Sequence, residues 1–139
     1  MIKLPFGVEI NDLIDNLRSL SWEAADILLY YANIIKKLEQ KNEILKNKNN
    51  DDPVTLADLE VNELIINRIN QTYQDTNWEI LSEENFKIQS NYFNNVDWLW
   101  VLDPLDGTKD FIQGTQNYAM HLALNYKQRP YIGIVLIPE

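Results

Sequence analysis

The stretch Trp100–Phe111, WVLDPLDGTKDF, decides how this chain reads. An apolar run meets Asp103, then Pro104 and Leu105, and then Asp106, Gly107 and Thr108. Charge at the end of an apolar strand is a usual place for chemistry, because a rigid sheet can aim what its ends carry. Two carboxylates brought to one sheet edge repel each other unless a cation lies between them. Oxygen donors without Cys or His favour magnesium or manganese over zinc. A glycine lets backbone approach an anion, and the N–H groups of Gly107 and Thr108 at a helix start form a phosphate seat. The residues therefore point to cations held by Asp103 and Asp106, with phosphate oxygens completing their shell and the following amides holding the same phosphate.

Each residue also has a plainer reading. Asp103 can cap a turn in which Pro104 fixes the next φ. Asp58, in DPVTLAD, can be a helix-capping acid, and Glu83-Glu84, in ILSEEN, a solvated turn. His121, the single histidine, stands on an apolar strand and reads as packed. Lys46 and Lys48 read as a solvated face, with substrate phosphate as the alternative contact.

Composition narrows the function classes. The 139 residues are 45% hydrophobic, enough for one domain with one core. Twelve Lys and Arg against twenty-one Asp and Glu leave a net charge of -9. That charge disfavours nucleic-acid polymers and anionic lipid unless a bound cation reverses the local field. With no cysteine there is no disulfide frame, zinc-thiolate site or thiol nucleophile. The start MIKLPFGVEINDL lacks an apolar signal core, and no run approaches the ~20 apolar residues of a transmembrane helix. A cytoplasmic protein is expected, with peripheral attachment to the inner face of the membrane as the variant. The sequon Asn70-Gln71-Thr72 then has no role, since glycosylation presupposes secretion.

Along the chain, Ile10, Leu13, Ile14, Leu17, Ala24, Leu28, Tyr31, Ala32 and Ile35 keep helical spacing, which predicts a helix over 9–40 with a break near Ser19–Ser21. KNEILKNKNNDDP predicts a solvated connection stopped by Pro53, more lid than domain boundary. A second helix is expected from Thr55, as N-cap with Asp58 three residues on, carrying Leu59, Leu64, Ile65 and Ile69. Strands are expected at 78–81, 98–102, 118–125 and 131–137, with a short helix over 107–112 and a turn at Lys127–Pro130. Helices early and strands late predict an α+β layered domain in which two long helices cover one face of a largely antiparallel sheet.

DPVTLAD, LSEEN, WVLDPLDGTKDF and the closing GIVLIPE together resemble the magnesium-dependent, lithium-sensitive phosphomonoesterases that include inositol monophosphatase and the 3'(2'),5'-bisphosphate nucleotidases. The resemblance covers about Asp52 to Pro138, with three motifs in the family's order and spacing. LDPLDGTKDF and PVTLAD look most like the bacterial CysQ-type nucleotidases, with Lys109-Asp110 as the discriminating pair and Asp where that type commonly has Glu. The fold implied is one half of the sugar-phosphatase fold shared with fructose-1,6-bisphosphatase. The implied activity is hydrolysis of adenosine 3',5'-bisphosphate to AMP and phosphate in sulfur assimilation and nucleotide recycling, with an inositol monophosphatase-type sugar phosphatase as the alternative.

Carried over by position, the resemblance implies two or more magnesium ions, with manganese as a substitute and lithium as an inhibitor. Glu83, Asp103 and the carbonyl of Leu105 would hold one ion, and Asp103 and Asp106 a second. Asp58 and Thr108 would orient and deprotonate the attacking water. Substrate phosphate would meet Glu83, Leu105, Asp106, Gly107 and Thr108. Glu84 is left between an outer supporting role and plain exposure.

The sequence ends at Glu139, about where the second half of such enzymes begins, and no Trp-Asp pair supplies the further metal ligand expected there. The expectation is a single N-terminal metal- and phosphate-binding domain over 1–139 without its C-terminal domain: a fragment, a split-gene product or a non-catalytic remnant. A separately encoded C-terminal half or a second copy is the expected partner, because such a cut exposes a sheet edge near Ile132, Ile134 and Leu136. A haloacid-dehalogenase-type phosphatase also sets Asp and Asp-Gly-Thr after a strand, but its acids are separated by one residue, and Pro104 and Leu105 make two here.

Overall fold

The computed structural model describes residues 1–40, 53–82 and 95–139. The expected connection at 41–52 lies outside the described residues.

Helix α1, Ile10–Gln40, is continuous through Ser19–Ser21, which corrects the expected break. Ser19 is exposed, and the Ser21 hydroxyl donates to the Leu17 carbonyl at 2.7 Å. A serine that bonds back one turn satisfies itself without opening the helix. Leu13, Leu17, Leu20, Ala24, Leu28, Tyr31 and Ile35 recur at steps of three and four and are all buried. Helix α2, Pro53–Thr72, starts two residues before Thr55, so Thr55 stands inside its first turn rather than ahead of it. Pro53 opens the helix instead of stopping the segment before it, since its fixed φ and missing N–H suit a first turn. The buried stripe is Val54, Ala57, Val61, Ile65 and Ile69, with Leu64 half-buried beside it; the expected Leu59, two residues from both Ala57 and Val61, falls off that stripe.

The two helices run antiparallel, and polar contacts mark their seam. Asn16 Nδ2 donates to the Tyr73 hydroxyl at 2.9 Å, Arg68 pairs with Glu23 at 2.6 Å, and the Tyr31 hydroxyl donates to Glu60. Against them lies a four-stranded sheet in the order β1-β2-β3-β4, formed by Glu79–Ser82, Trp98–Asp106, Ala119–Tyr126 and Arg129–Leu136. β1 pairs with β2 in parallel, while β2, β3 and β4 are antiparallel neighbours. The architecture is α+β, as expected, with one parallel pairing among the described strands. Trp100, Leu102, Met120, Leu122 and Leu124 face the helices and join one core with the α1 and α2 stripes.

β3 and β4 meet through Lys127-Gln128, both at positive φ (46° and 66°), so the turn is narrower than the expected Lys127–Pro130. Two positive-φ residues make the type of hairpin turn that matches strand twist. Ile132, Ile134 and Leu136 of β4 line an apolar groove of about 560 Å³ with Leu17, Trp22 and Ala25 of α1. Val135 is exposed, as is Ile137, which also borders the groove.

Candidate metal and phosphate site

β2 carries a bulge where the acids lie. Asp103 is registered with His121 and Asp106 with Ala119, so three steps on β2 span two on β3. Pro104 and Leu105 occupy the irregular interval, a position that tolerates a proline's missing N–H. Residues opposite each other in a ladder share a face, and 119 and 121 are two apart on β3. The extra residue therefore sets Asp103 and Asp106 on one face, the face turned away from the α1–α2 core. A regular strand would have put residues three apart on opposite faces.

After Asp106 the chain turns sharply. Gly107 has φ 81° and ψ 40°, left-handed, immediately before the short helix α3, Thr108–Ile112. A Cβ at Gly107 would meet the Asn117 carbonyl oxygen at 2.6 Å and the Tyr118 Cα at 3.3 Å. Both backbone angle and space require glycine there. Phe111 anchors α3 in the core, its ring edge-on to Tyr118 at 4.8 Å. Thr115 closes the loop, its hydroxyl donating to Asp110 Oδ1 at 2.9 Å and its N–H to the Asp110 carbonyl at 3.0 Å. Asp110 thus has a local structural use.

The structure brings Asp103, Leu105, Asp106, Gly107 and Thr108 together at one end of the sheet. The Thr108 hydroxyl lies 3.5 Å from the Leu105 carbonyl oxygen, a long contact between two residues expected to act on water and on metal. Asp58 is half-buried on α2, which packs on β2 and α3. His121 departs from the packed reading: its side chain is 46% exposed, and its Nε2 lies 3.8 Å from Asp106 Oδ2. Its register opposite Asp103 turns it to the acid face, a placement that a one-residue motif cannot announce. Glu83, Glu84, Lys46 and Lys48 lie outside the described residues. Among the described residues, no three His, Cys, Asp or Glu side chains gather as a metal-binding group. The donors present at the turn are carboxylate and carbonyl oxygens, a set that fits a hard dication.

One tie was not legible in the motifs. Lys36 of α1 donates to the Glu139 side chain, and the buried Tyr118 hydroxyl faces the same carboxylate. Burial alone would raise the Glu139 pKa, but the hydrogen bond from Lys36, helped by the nearby Tyr118 hydroxyl, outweighs it and holds the carboxyl below its usual range. Burial, then Glu139, pushes the Tyr118 phenol far above its ordinary value.

The model of the inositol monophosphatase family matches residues 10–139. The 3'(2'),5'-bisphosphate nucleotidase CysQ of Haemophilus influenzae is 31% identical, over 75% of this chain and 38% of its own length. The fructose-1,6-bisphosphatase/inositol-1-monophosphatase of Thermotoga maritima is 28% identical, over 99% of this chain and 44% of its own. The crystal structure of CysQ from Bacteroides thetaiotaomicron superposes with a TM-score of 0.63 at 29% identity, covering 83% of this chain and 38% of that one. The chain thus spans less than half the length of these relatives, and among the described residues no helix is long and apolar enough to cross a membrane. Motif order, the bulged acid strand and these likenesses agree: the chain belongs to the inositol monophosphatase family.

Proposed function

We propose that this chain supplies the metal- and phosphate-binding residues of a magnesium-dependent phosphomonoesterase, a 3'(2'),5'-bisphosphate nucleotidase that hydrolyses adenosine 3',5'-bisphosphate to AMP and phosphate. The observation that carries the reading is the bulge that sets Asp103 and Asp106 on one face, directly before the left-handed Gly107. In this reading Glu83, Asp103, the Leu105 carbonyl and Asp106 hold the cations. Magnesium, when bound, supplies a lower pKa for the attacking water and neutralises charge on the attacking and leaving oxygens. Asp58 and Thr108 orient that water and accept its proton, and the amides of Gly107 and Thr108 hold the phosphate.

The nucleotidase assignment draws on the CysQ likenesses and on Lys109-Asp110, and a role in sulfur metabolism follows from that substrate. The Thermotoga relative, whose name joins fructose-1,6-bisphosphatase and inositol-1-monophosphatase, favours sugar phosphates as the second reading. The C-terminal domain would come from more of the same chain or from a separate one, a second copy being the other partner, in a cytoplasmic enzyme.

Phosphate release from adenosine 3',5'-bisphosphate, inositol 1-phosphate and fructose 1,6-bisphosphate tests this, with magnesium or with chelator. The chain should be assayed alone and joined to the C-terminal part of a CysQ relative. Magnesium-dependent turnover favouring the nucleotide is expected of the joined protein. Preference for a sugar phosphate overturns the nucleotidase assignment, and silence of the joined protein on every substrate supports a non-catalytic remnant.

A further inference from the structure

The expectation of magnesium over zinc at the acid turn rests on a donor set of oxygens alone, and the structure adds a nitrogen to that set. His121, the single histidine, lies on β3, whose other residues are Ala, Met, Leu, Asn and Tyr. It is therefore the one side chain of that strand with a nitrogen lone pair to offer a metal. The register puts it directly opposite Asp103 on the acid face, with Val135 of β4 on its other side. Directly opposite residues of an antiparallel pair hold their Cβ atoms about 4.5–5.5 Å apart, near enough for both to reach one ion. His121 Nε2 lies 3.8 Å from Asp106 Oδ2, and the two side chains are 46% and 57% exposed. That gap is too long for a hydrogen bond. It is close to the roughly 3.4 Å that separates two donors of one tetrahedral zinc with bonds of ~2.0–2.1 Å. A small side-chain rotation brings both donors onto a shared ion, and their exposure leaves them open to it. Among the described residues no third His, Cys, Asp or Glu gathers with this pair, so Asp103, across the ladder, and water are left to complete a shell.

We propose that His121 is a ligand for a borderline dication such as zinc at the cation position beside Asp106, and that zinc held there displaces magnesium. This rests on the reading that Asp106 holds a cation. Imidazole suits zinc, whereas magnesium keeps to oxygen ligands and gives up its waters reluctantly. The carboxylates attract both ions, and the imidazole distinguishes between them. β3 lies between β2 and β4, so the ring is carried by an interior strand, a rigid mount for a ligand.

The test is nuclear magnetic resonance of the nitrogen-labelled chain, titrated at one fixed pH with zinc or with magnesium, alongside calorimetry. With one imidazole in the chain, the ring nitrogens report on His121 alone. Zinc should shift the Nε2 resonance, and magnesium should leave it in place. His121→Asn should weaken zinc binding by about tenfold or more, the scale on which the loss of a group supporting a metal site shows, with magnesium affinity unchanged. Asp106→Asn should weaken the binding of both ions. Saturating magnesium should lower the apparent zinc affinity, as for two ions competing for one position. An Nε2 resonance that zinc does not move overturns the ligand role. So does an equal weakening of zinc and magnesium in His121→Asn, which marks a contact that only shapes Asp106. Zinc binding that Asp106→Asn leaves intact overturns the shared position. Zinc bound through the imidazole in a chain that binds no magnesium supports His121 as a ligand and overturns the magnesium reading of Asp106 instead.

Discussion

Asp103 and Asp106 share a face of the sheet because β2 spends one residue more than β3 between them. The Asp-Pro-Leu-Asp spacing is therefore a geometric device. The proline stands in a bulge that can use it, and the second acid is delivered to the same side as the first. Gly107 then turns the chain within one residue, so that acids and amides stand at one sheet end.

That turn makes Gly107→Ala a severe change. The left-handed backbone alone costs an alanine roughly 1–2 kcal/mol. The new Cβ also meets the Asn117 carbonyl at 2.6 Å, a backbone atom with no rotamer to yield. Urea unfolding should show a loss above the backbone figure. A smaller loss would mean that segment 114–118 shifts freely.

The β3–β4 hairpin can be improved. Lys127 and Gln128 both sit at positive φ, where Asn-Gly is the favoured pair. Lys127→Asn with Gln128→Gly removes two strained backbones, against the loss of the interaction that Gln128 makes and of about 0.5–1 kcal/mol for the exposed contact of Lys127 Nζ over the Tyr126 ring. A net gain of about 1 kcal/mol is expected, which raises the melting temperature by several degrees in a domain of this size. An unchanged or lower melting temperature would count against strain at this turn.

The helix seam predicts an alkaline limb in stability. Burial first, then the hydrogen bond to Glu60, pushes the Tyr31 pKa from 10.0 up to about 12. The fold favours the neutral phenol, so this stability is present below pH 10 and is lost as the pH rises through 10 toward 12. Tyr31→Phe should be less stable at pH 7 by about 1 kcal/mol, the usual net worth of one hydrogen bond. It should also lose less than the parent between pH 10 and 12. Unfolding curves at both ends of that window check it, and parallel losses would remove Tyr31 as the cause.

Legibility in the sequence followed the range of the physics. Helical spacing announced α1 and α2, and apolar runs bounded by turn residues announced every strand among the described residues. The false break at Ser19–Ser21 arose because a serine's preference for turns was weighed without its bond to Leu17. α2 was placed two residues late because Thr55-Leu56-Ala57-Asp58 fits a capping box, while Pro53 had already opened the helix. The acids and Gly107 were legible as a motif. The bulge was not, since it exists only in the pairing with β3. Glu139 offered no local signal, its partner Lys36 lying 103 residues away.

Asp58 separates a structural from a chemical role in one side chain. It stands half-buried on α2, on the helix that packs against both the acid strand and α3. As a helix acid it contributes up to about 1 kcal/mol and nothing to turnover. As the proposed partner of Thr108 it receives the proton of the attacking water, and no change of stability then accounts for its loss. Asp58→Asn keeps size and most polar contacts while removing the base. In the chain joined to a relative's C-terminal part, turnover at saturating magnesium should fall by roughly 10²-fold or more, the scale of general-base catalysis, with magnesium affinity little changed. Near-normal turnover in that variant would return Asp58 to the helix. A fall in magnesium affinity matching the fall in turnover would place it among the metal ligands instead.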